Sequence, residues 1–210
     1  MSDPAAKADD VHYYASGEPH GLAHDPIKAI VAPRPIGWIS TVDGQGHVNL
    51  APYSFFNMFS TTPQILGFGS EGRKDSLRNA VETGEFVWNL AVMPLAAQMN
   101  LTSGLYGPEV NEFDLAGLTP AACRLVRPPR VAESPASLEC KLVDVIQLRD
   151  VHGKQLDNYL ALGQVVGVHI ARRFIRDGMY DTVAAQPIMR AGYRGDYAGI
   201  GEMFEMIRPA

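Results

Sequence analysis

Over several stretches of this chain apolar and polar residues alternate with period two, the pattern of strands that bury one face. Leu138, Cys140 and Leu142 alternate with Glu139 and Lys141, while Leu160, Leu162, Val166, Val168 and Ile170 share one parity, so each set is expected to face a core. Strands are predicted over residues 36–42, 47–51, 64–69, 86–91, 138–148 and 159–170. The tetrapeptide DGQG at 43–46 joins the first two as an antiparallel hairpin. Helical signals are few. One helix is predicted over 75–83, ending at Gly84 in the left-handed cap position, and another starts near Pro94 and runs to about Thr102.

Two long antiparallel strands, with Gly163 and Gly167 available to ease bending, suit a closed or nearly closed barrel better than a doubly wound parallel sheet. Pro and Gly cluster at 33–37, 104–108 and 128–135, between apolar segments, and read as loops of one unit. No fixed repeat is present, which excludes solenoids and propellers. A mainly β domain over residues 11–210 is expected, with MSDPAAKADD at 1–10 as a mobile tail.

Composition narrows the class. With 46% hydrophobic and 20% charged residues the 210-residue chain can build a core and is not of the disordered type. A net charge of -5 argues against a nucleic-acid binder, so any anion site must be local. The opening residues lack the apolar core of a signal peptide and no apolar run approaches a membrane span, which makes a cytoplasmic protein with no membrane partner the expectation. Cys123 and Cys140 lack CxxC spacing and a nearby His pair, so they are expected as buried free thiols without a metal. His12, His20, His24, His47 and His152 fall in loops or strand ends; His169, on a strand, reads as a hydrogen-bonded structural histidine.

Three stretches carry possible chemistry. GSEGRKDS at 69–76 follows a strand and opens a helix, where unpaired amides, the helix dipole and Arg73, Lys74 and Ser76 would favour a phosphate. Its bland alternative is Asp75 or Ser76 capping the helix beside solvated cations. APRPIGWIST at 32–41 runs into a strand ending in two hydroxyls, Ser40 and Thr41, with Trp38 an ordinary core aromatic in the alternative. NLAPYSFFN at 49–57 places Pro52 where a ladder donor is needed, so the strand is expected to bend or leave the sheet and present backbone groups that a flat heteroaromatic ring could pair with. GxSxG, HExxH and P-loop motifs are absent, and no catalytic side chain is nominated.

In this order, APRPIGWIST, NLAPYSFFN and RKDSLRN resemble the flavin reductase-like family of FMN-binding split barrels, and GEFVWNL at 84–90, NEFDLAGLTP at 111–120 and LGQVVGVHI at 162–170 extend the resemblance over most of the chain. Tyr53, Ser76 and Gln164 replace the Phe, Thr and Glu common in relatives, all mild changes. The resemblance implies a Greek-key split β-barrel with a few short helices, a homodimer, and FMN in a groove near the dimer interface. Carried over by position, Trp38, Ile39, Ser40 and Thr41 would line the flavin and ribityl region; Ala51, Pro52, Tyr53, Ser54 and Phe55 would follow the ring edge; Arg73, Lys74, Asp75 and Ser76 would hold the phosphate. The implied activity is hydride transfer from NAD(P)H to FMN, as the reductase component for a partner oxygenase in one version. The alternatives are an FMN electron-transfer protein with a protein redox partner, and a barrel that binds no flavin. AGYRGDYAG at 191–199, with Tyr193 and Arg194, could close over the nicotinamide or over a partner chain.

Overall fold

The computed structural model describes residues 10–209. The expected tail at 1–10 therefore lies, but for Asp10, outside the described residues. In chain order the main elements are β1 (Gly37–Val42), β2 (Val48–Tyr53), β3 (Phe56–Thr61), β4 (Gln64–Glu71), α1 (Asp75–Thr83), β5 (Glu85–Asn89), α2 (Ala96–Leu101), α3 (Glu112–Ala116), β6 (Ala136–Arg149) and β7 (Gln155–Ile170). The seven strands form one antiparallel sheet in the order β2-β1-β5-β6-β7-β4-β3. It curls until the chain leaving β2 meets β4, where the Gly69 amide donates to the Phe55 carbonyl (2.7 Å). This is the split barrel that the strand pattern and the family resemblance called for.

Local chemistry explains the elements. Asp43 closes the β1–β2 hairpin by accepting the amides of Gln45 (2.9 Å) and His47 (2.8 Å), with Gly46 at φ +95. Helix α1 ends where expected: Gly84 takes φ +72 and its amide reaches the Ala80 carbonyl (2.9 Å). A short 3₁₀ turn, Met93–Leu95, precedes α2.

The core has two parts. Inside the barrel Ile39, Tyr53, Leu66, Phe68, Leu77, Phe86, Cys140, Tyr159 and Ala161 pack together; outside it, Trp38, Leu50, Met99, Phe113 and Val131 pack between β1, β2 and the short helices. Two sequence expectations need correction. In β7 the inward residues are Tyr159 and Ala161, while Leu160 and Leu162 are half-buried, Val168 is 61% exposed and Ile170 39%. The reversed parity follows from space: Phe68 and Phe86 fill the barrel edge to face, 5.4 Å between ring centroids, and only small residues fit opposite them. Pro52 does not break its strand. It stays in register opposite Trp38, and the chain leaves the sheet only after Tyr53. The Leu50 amide points off the free edge, to Glu112 (3.0 Å), and with period two Pro52 points its nitrogen the same way, so no ladder bond is lost.

Candidate functional site

Three of the sequence stretches converge on one cavity of about 630 Å³, within the range of small-molecule sites. Pro33, Arg34 and Pro35 come from the first, Ser54, Phe55, Phe56 and Asn57 from the second, and Gly69 and Ser70 from the third. Leu148, Asn158, Tyr159 and Leu160 of the β6–β7 hairpin complete the wall. The lining is mainly apolar, with a few polar groups set into it.

At one margin stands the start of α1. Lys74 is its N-cap, with extended backbone (ψ 168) and no side-chain cap bond, so the alternative in which Asp75 or Ser76 caps the helix does not describe this terminus. Asp75 pairs instead with Arg78 (2.5 Å). Arg73 and Lys74 are exposed and, among the described residues, have no carboxylate partner. Arg73 lies over the Tyr159 ring at 5.3 Å, which brings its charge to the cavity wall. Behind it, buried Ser76 accepts from Asn49 Nδ2 (2.8 Å). The Tyr53 hydroxyl is pushed up by burial, against the pull of its bonds to Ser76 and Ser70, and stays neutral.

Strand β1 contributes differently. Trp38, Ile39, Ser40 and Thr41 are fully buried. Trp38 Nε1 donates to Thr102 (3.0 Å), Ser40 to the Pro129 carbonyl (2.5 Å), and Thr41 accepts from Asn79 (3.3 Å). Their side chains hold the strand in place and have protein partners. Ala51 is half-buried on β2, and Pro52, Tyr53 and Ser54 also bound a second cavity, of about 540 Å³. Across that cavity stand Arg190, Arg194 and Tyr197, because the segment around Tyr193 folds back on its own chain: Ile188–Arg190 pairs with Arg34–Pro35 on one side and with Tyr197–Gly199 on the other. Of the expected residues, then, the structure brings Ser54 and Phe55 to the first cavity, with Arg73 at its wall, and leaves Trp38 to Thr41 in the core.

Arg34 stands between two prolines in the sequence. It is 9% exposed, its Nη1 donates to the Lys28 and Val31 carbonyls and its Nη2 to that of Ala191 (3.3 Å), and its Nε has no partner among the described residues. Buried Glu112, which accepts the Leu50 amide, was invisible in sequence; burial raises its carboxyl above the usual range. His169 is a structural histidine in geometry, bound through Nε2 to Glu139 Oε1 (2.6 Å). Cys123 and Cys140 are free; Cys140 is buried, Cys123 half-buried.

The residues fit FMN in their chemistry. The cavity is mainly apolar and of small-molecule size, the uncapped helix start with Arg73 and Lys74 follows its Gly69–Glu71 wall along the chain, and Gly69 leaves room that a Cβ, 3.1 Å from Phe55 Cβ, would take.

Comparison with known proteins points the same way. The family described as "Flavin reductase like domain" matches residues 31–184. An uncharacterized protein of Halalkalibacterium halodurans is 37% identical over 186 residues, 85% of this chain and 87% of the relative. Among solved structures, nitrilotriacetate monooxygenase component B from Bacillus cereus superposes with a TM-score of 0.80 at 32% identity, over 86% of this chain and 90% of that one. Flavoredoxin of Desulfovibrio vulgaris (Miyazaki F) shares the fold, with a TM-score of 0.74 at 20% identity over 84% and 91%.

Proposed function

This chain belongs to the flavin reductase-like family, and from that premise we propose that it binds FMN in the 630 Å³ cavity and passes a hydride to it from NAD(P)H. Flavin-linked oxidoreduction is the family's chemistry. The observation that carries the specific reading is the convergence of the 33–35, 54–57 and 69–70 segments on one cavity, next to an uncapped helix start with two unpaired cations.

When bound, FMN supplies a two-electron acceptor that takes a hydride from a reduced nicotinamide. The chain's part is position and electrostatics. Arg73, Lys74 and the first amides of α1 hold the phosphate end by charge-assisted hydrogen bonds. Tyr53, neutral and tied to Ser70 and Ser76, fixes the floor between the phosphate corner and the ring. Ser54 and the amides after Pro52 face the ring edge, and Phe55 and Phe56 with Tyr159 exclude water from it. Arg194, which lines the 540 Å³ cavity together with Ser54, would meet the diphosphate of the nicotinamide. No acid or base is assigned, since hydride transfer requires none.

A second reading has its own support. Phe55, Met58 and Phe59 stand 44%, 46% and 56% exposed near the cavity, an apolar rim suited to being covered by another protein surface. A second copy of the chain covering it would make the homodimer that the family resemblance implies; a redox partner would make the protein an electron-transfer flavoprotein, or the reductase component of an oxygenase. Anaerobic titration of the purified protein with FMN, then stopped-flow mixing with NADH and NADPH, separates these. Flavin bound but not reduced by either nicotinamide rejects the reductase and leaves the carrier; no flavin bound rejects both.

A further inference from the structure

At the other end of the β6–β7 hairpin lies a second cavity of about 630 Å³, lined by Arg124, Leu125, Arg130, Ser134, Glu139 and His169 among others. Tyr159 belongs to the first cavity and His169 to this one, and at about 3.3 Å per residue β7 carries them roughly 30 Å apart. The two cavities cannot share a flavin and the nicotinamide stacked on it.

The charge in this cavity is unbalanced. Among the described residues neither Arg124 nor Arg130 has a carboxylate within ion-pair distance. Arg130 Nε is buried and unpartnered among the described residues, a donor whose desolvation none of them offsets. Glu139 offsets one of the two charges at most and pairs with neither guanidinium, its oxygens being turned to other donors: it accepts the amides of Arg124 (3.0 Å), Leu125 (2.6 Å) and Val126 (3.1 Å) and bonds the ring of His169 (2.6 Å). That carboxylate is built in, lying over Gly167, where a Cβ would come within 2.9 Å of Glu139 Cδ. Leu125, Val168 and Ile170 supply apolar wall beside the cations.

By residue type Cys123, Glu139 and His169 could also be a metal triad, their ligand atoms lying within 4.8 Å of one another. The bonding argues otherwise. A cation on either Glu139 oxygen would compete with the two hydrogen bonds that oxygen already accepts and sit beside Arg130, and the Cys123 thiol is pushed up to about 11 by burial and the Glu139 charge, against the pull of Arg130.

We propose that this cavity binds a small organic oxyanion, a carboxylate or phosphate carried on a short apolar body, through Arg124 and Arg130. In a chain of net charge -5 the site is a local reversal of sign. The probes are benzoate and phenyl phosphate, titrated calorimetrically into the purified, FMN-loaded protein at low ionic strength, so that the flavin site is filled. Saturable binding of either at millimolar concentration or below is expected, and the tighter of the two identifies the group. Arg130→Gln and Arg124→Gln should each weaken it by roughly tenfold or more, the effect of one lost charge-assisted hydrogen bond, while FMN affinity stays unchanged as the control for folding. Neither probe binding saturably, or binding that both variants leave intact, overturns the proposal.

Discussion

Replacing Arg73 and Lys74 by Ala tests the phosphate corner, because FMN and riboflavin differ only in the group these residues are assigned to hold. Both side chains are exposed, so their attraction to the phosphate is to be taken near the dielectric of water. Two unit charges at contact there interact by about 1 kcal/mol, and a phosphomonoester carries about -1.5 to -2 at neutral pH. Two cations at contact then attract the phosphate by roughly 3–4 kcal/mol before screening and the cost of ordering two exposed side chains, which leave about 2 kcal/mol at low salt and less at physiological ionic strength, where the Debye length is about 8 Å. The double variant should therefore bind FMN roughly 10- to 50-fold more weakly in about 0.05 M salt and less than about tenfold more weakly in about 0.3 M. The amides of α1 remain and keep part of the affinity. Riboflavin serves as the control for Arg73, whose stacking on Tyr159 supports the wall with either ligand. Quenching of flavin fluorescence gives both dissociation constants. Equal losses for FMN and riboflavin, or an FMN loss that salt does not diminish, would refute the assignment.

Three further outcomes follow from packing and charge. Gly163→Ala would place a Cβ 2.3 Å from Phe86 Cε1 inside the barrel, and should cost roughly 1–3 kcal/mol, read as a fall in Tm of roughly 2–12 °C. Burial raises the Glu112 carboxyl, so its ionisation costs stability as pH rises from the ordinary glutamate range towards the folded value; Glu112→Gln should abolish that slope in Tm against pH, whereas Glu112→Leu strands the Leu50 amide and should cost about 1–3 kcal/mol. For Glu139, burial is outweighed by the Arg124 amide, the His169 ring and the Leu125 amide, which hold the carboxyl below its usual range. The resulting stability is present above the ordinary glutamate pKa and lost as pH falls through the lower folded value, so Glu139→Gln should flatten the acid limb of a denaturant-midpoint profile and destabilise at pH 7 by roughly 3 kcal/mol.

What could be read in advance was whatever local chemistry decides. Helix α1 was legible to the residue because Gly84 offers a left-handed stop, and the first hairpin because Asp43 and Gly46 make its turn. What failed was the inward face of β7. Alternation identifies two faces but not which is inside, and the larger apolar residues mark the interior only where the interior has room. Here Phe68 and Phe86 leave space for Ala161 and Gly163 alone, and Gly163 is a packing residue more than a hinge. The larger residues are displaced outward, Leu160 to the cavity wall and Leu162 against the outer face at Gly67, where a Cβ would lie 2.8 Å from it. An apolar outer face on a strand of this kind is information, since it points to a ligand or a protein surface that covers it.

The same distinction separates the parts of the candidate site. Sequence motifs mark segments, but a strand gives a ligand its side chains on one face, its edge, or nothing. Strand β1 has β2 on one side and β5 on the other, so its edges are taken, and its side chains at 38–41 have partners inside the protein. Any part it plays in binding passes through β2, the edge strand it holds in register. β2, by contrast, ends at the free edge with a proline and then departs from the sheet, which leaves the backbone around Ser54 between two cavities. If hydride transfer occurs where we place it, the decisive position is therefore Pro52. Pro52→Ala would add an amide at the free edge without altering the ladder, and should change flavin affinity and the rate of reduction by nicotinamide far more than it changes Tm. A variant that lost stability in step with affinity would show instead that the proline serves the fold.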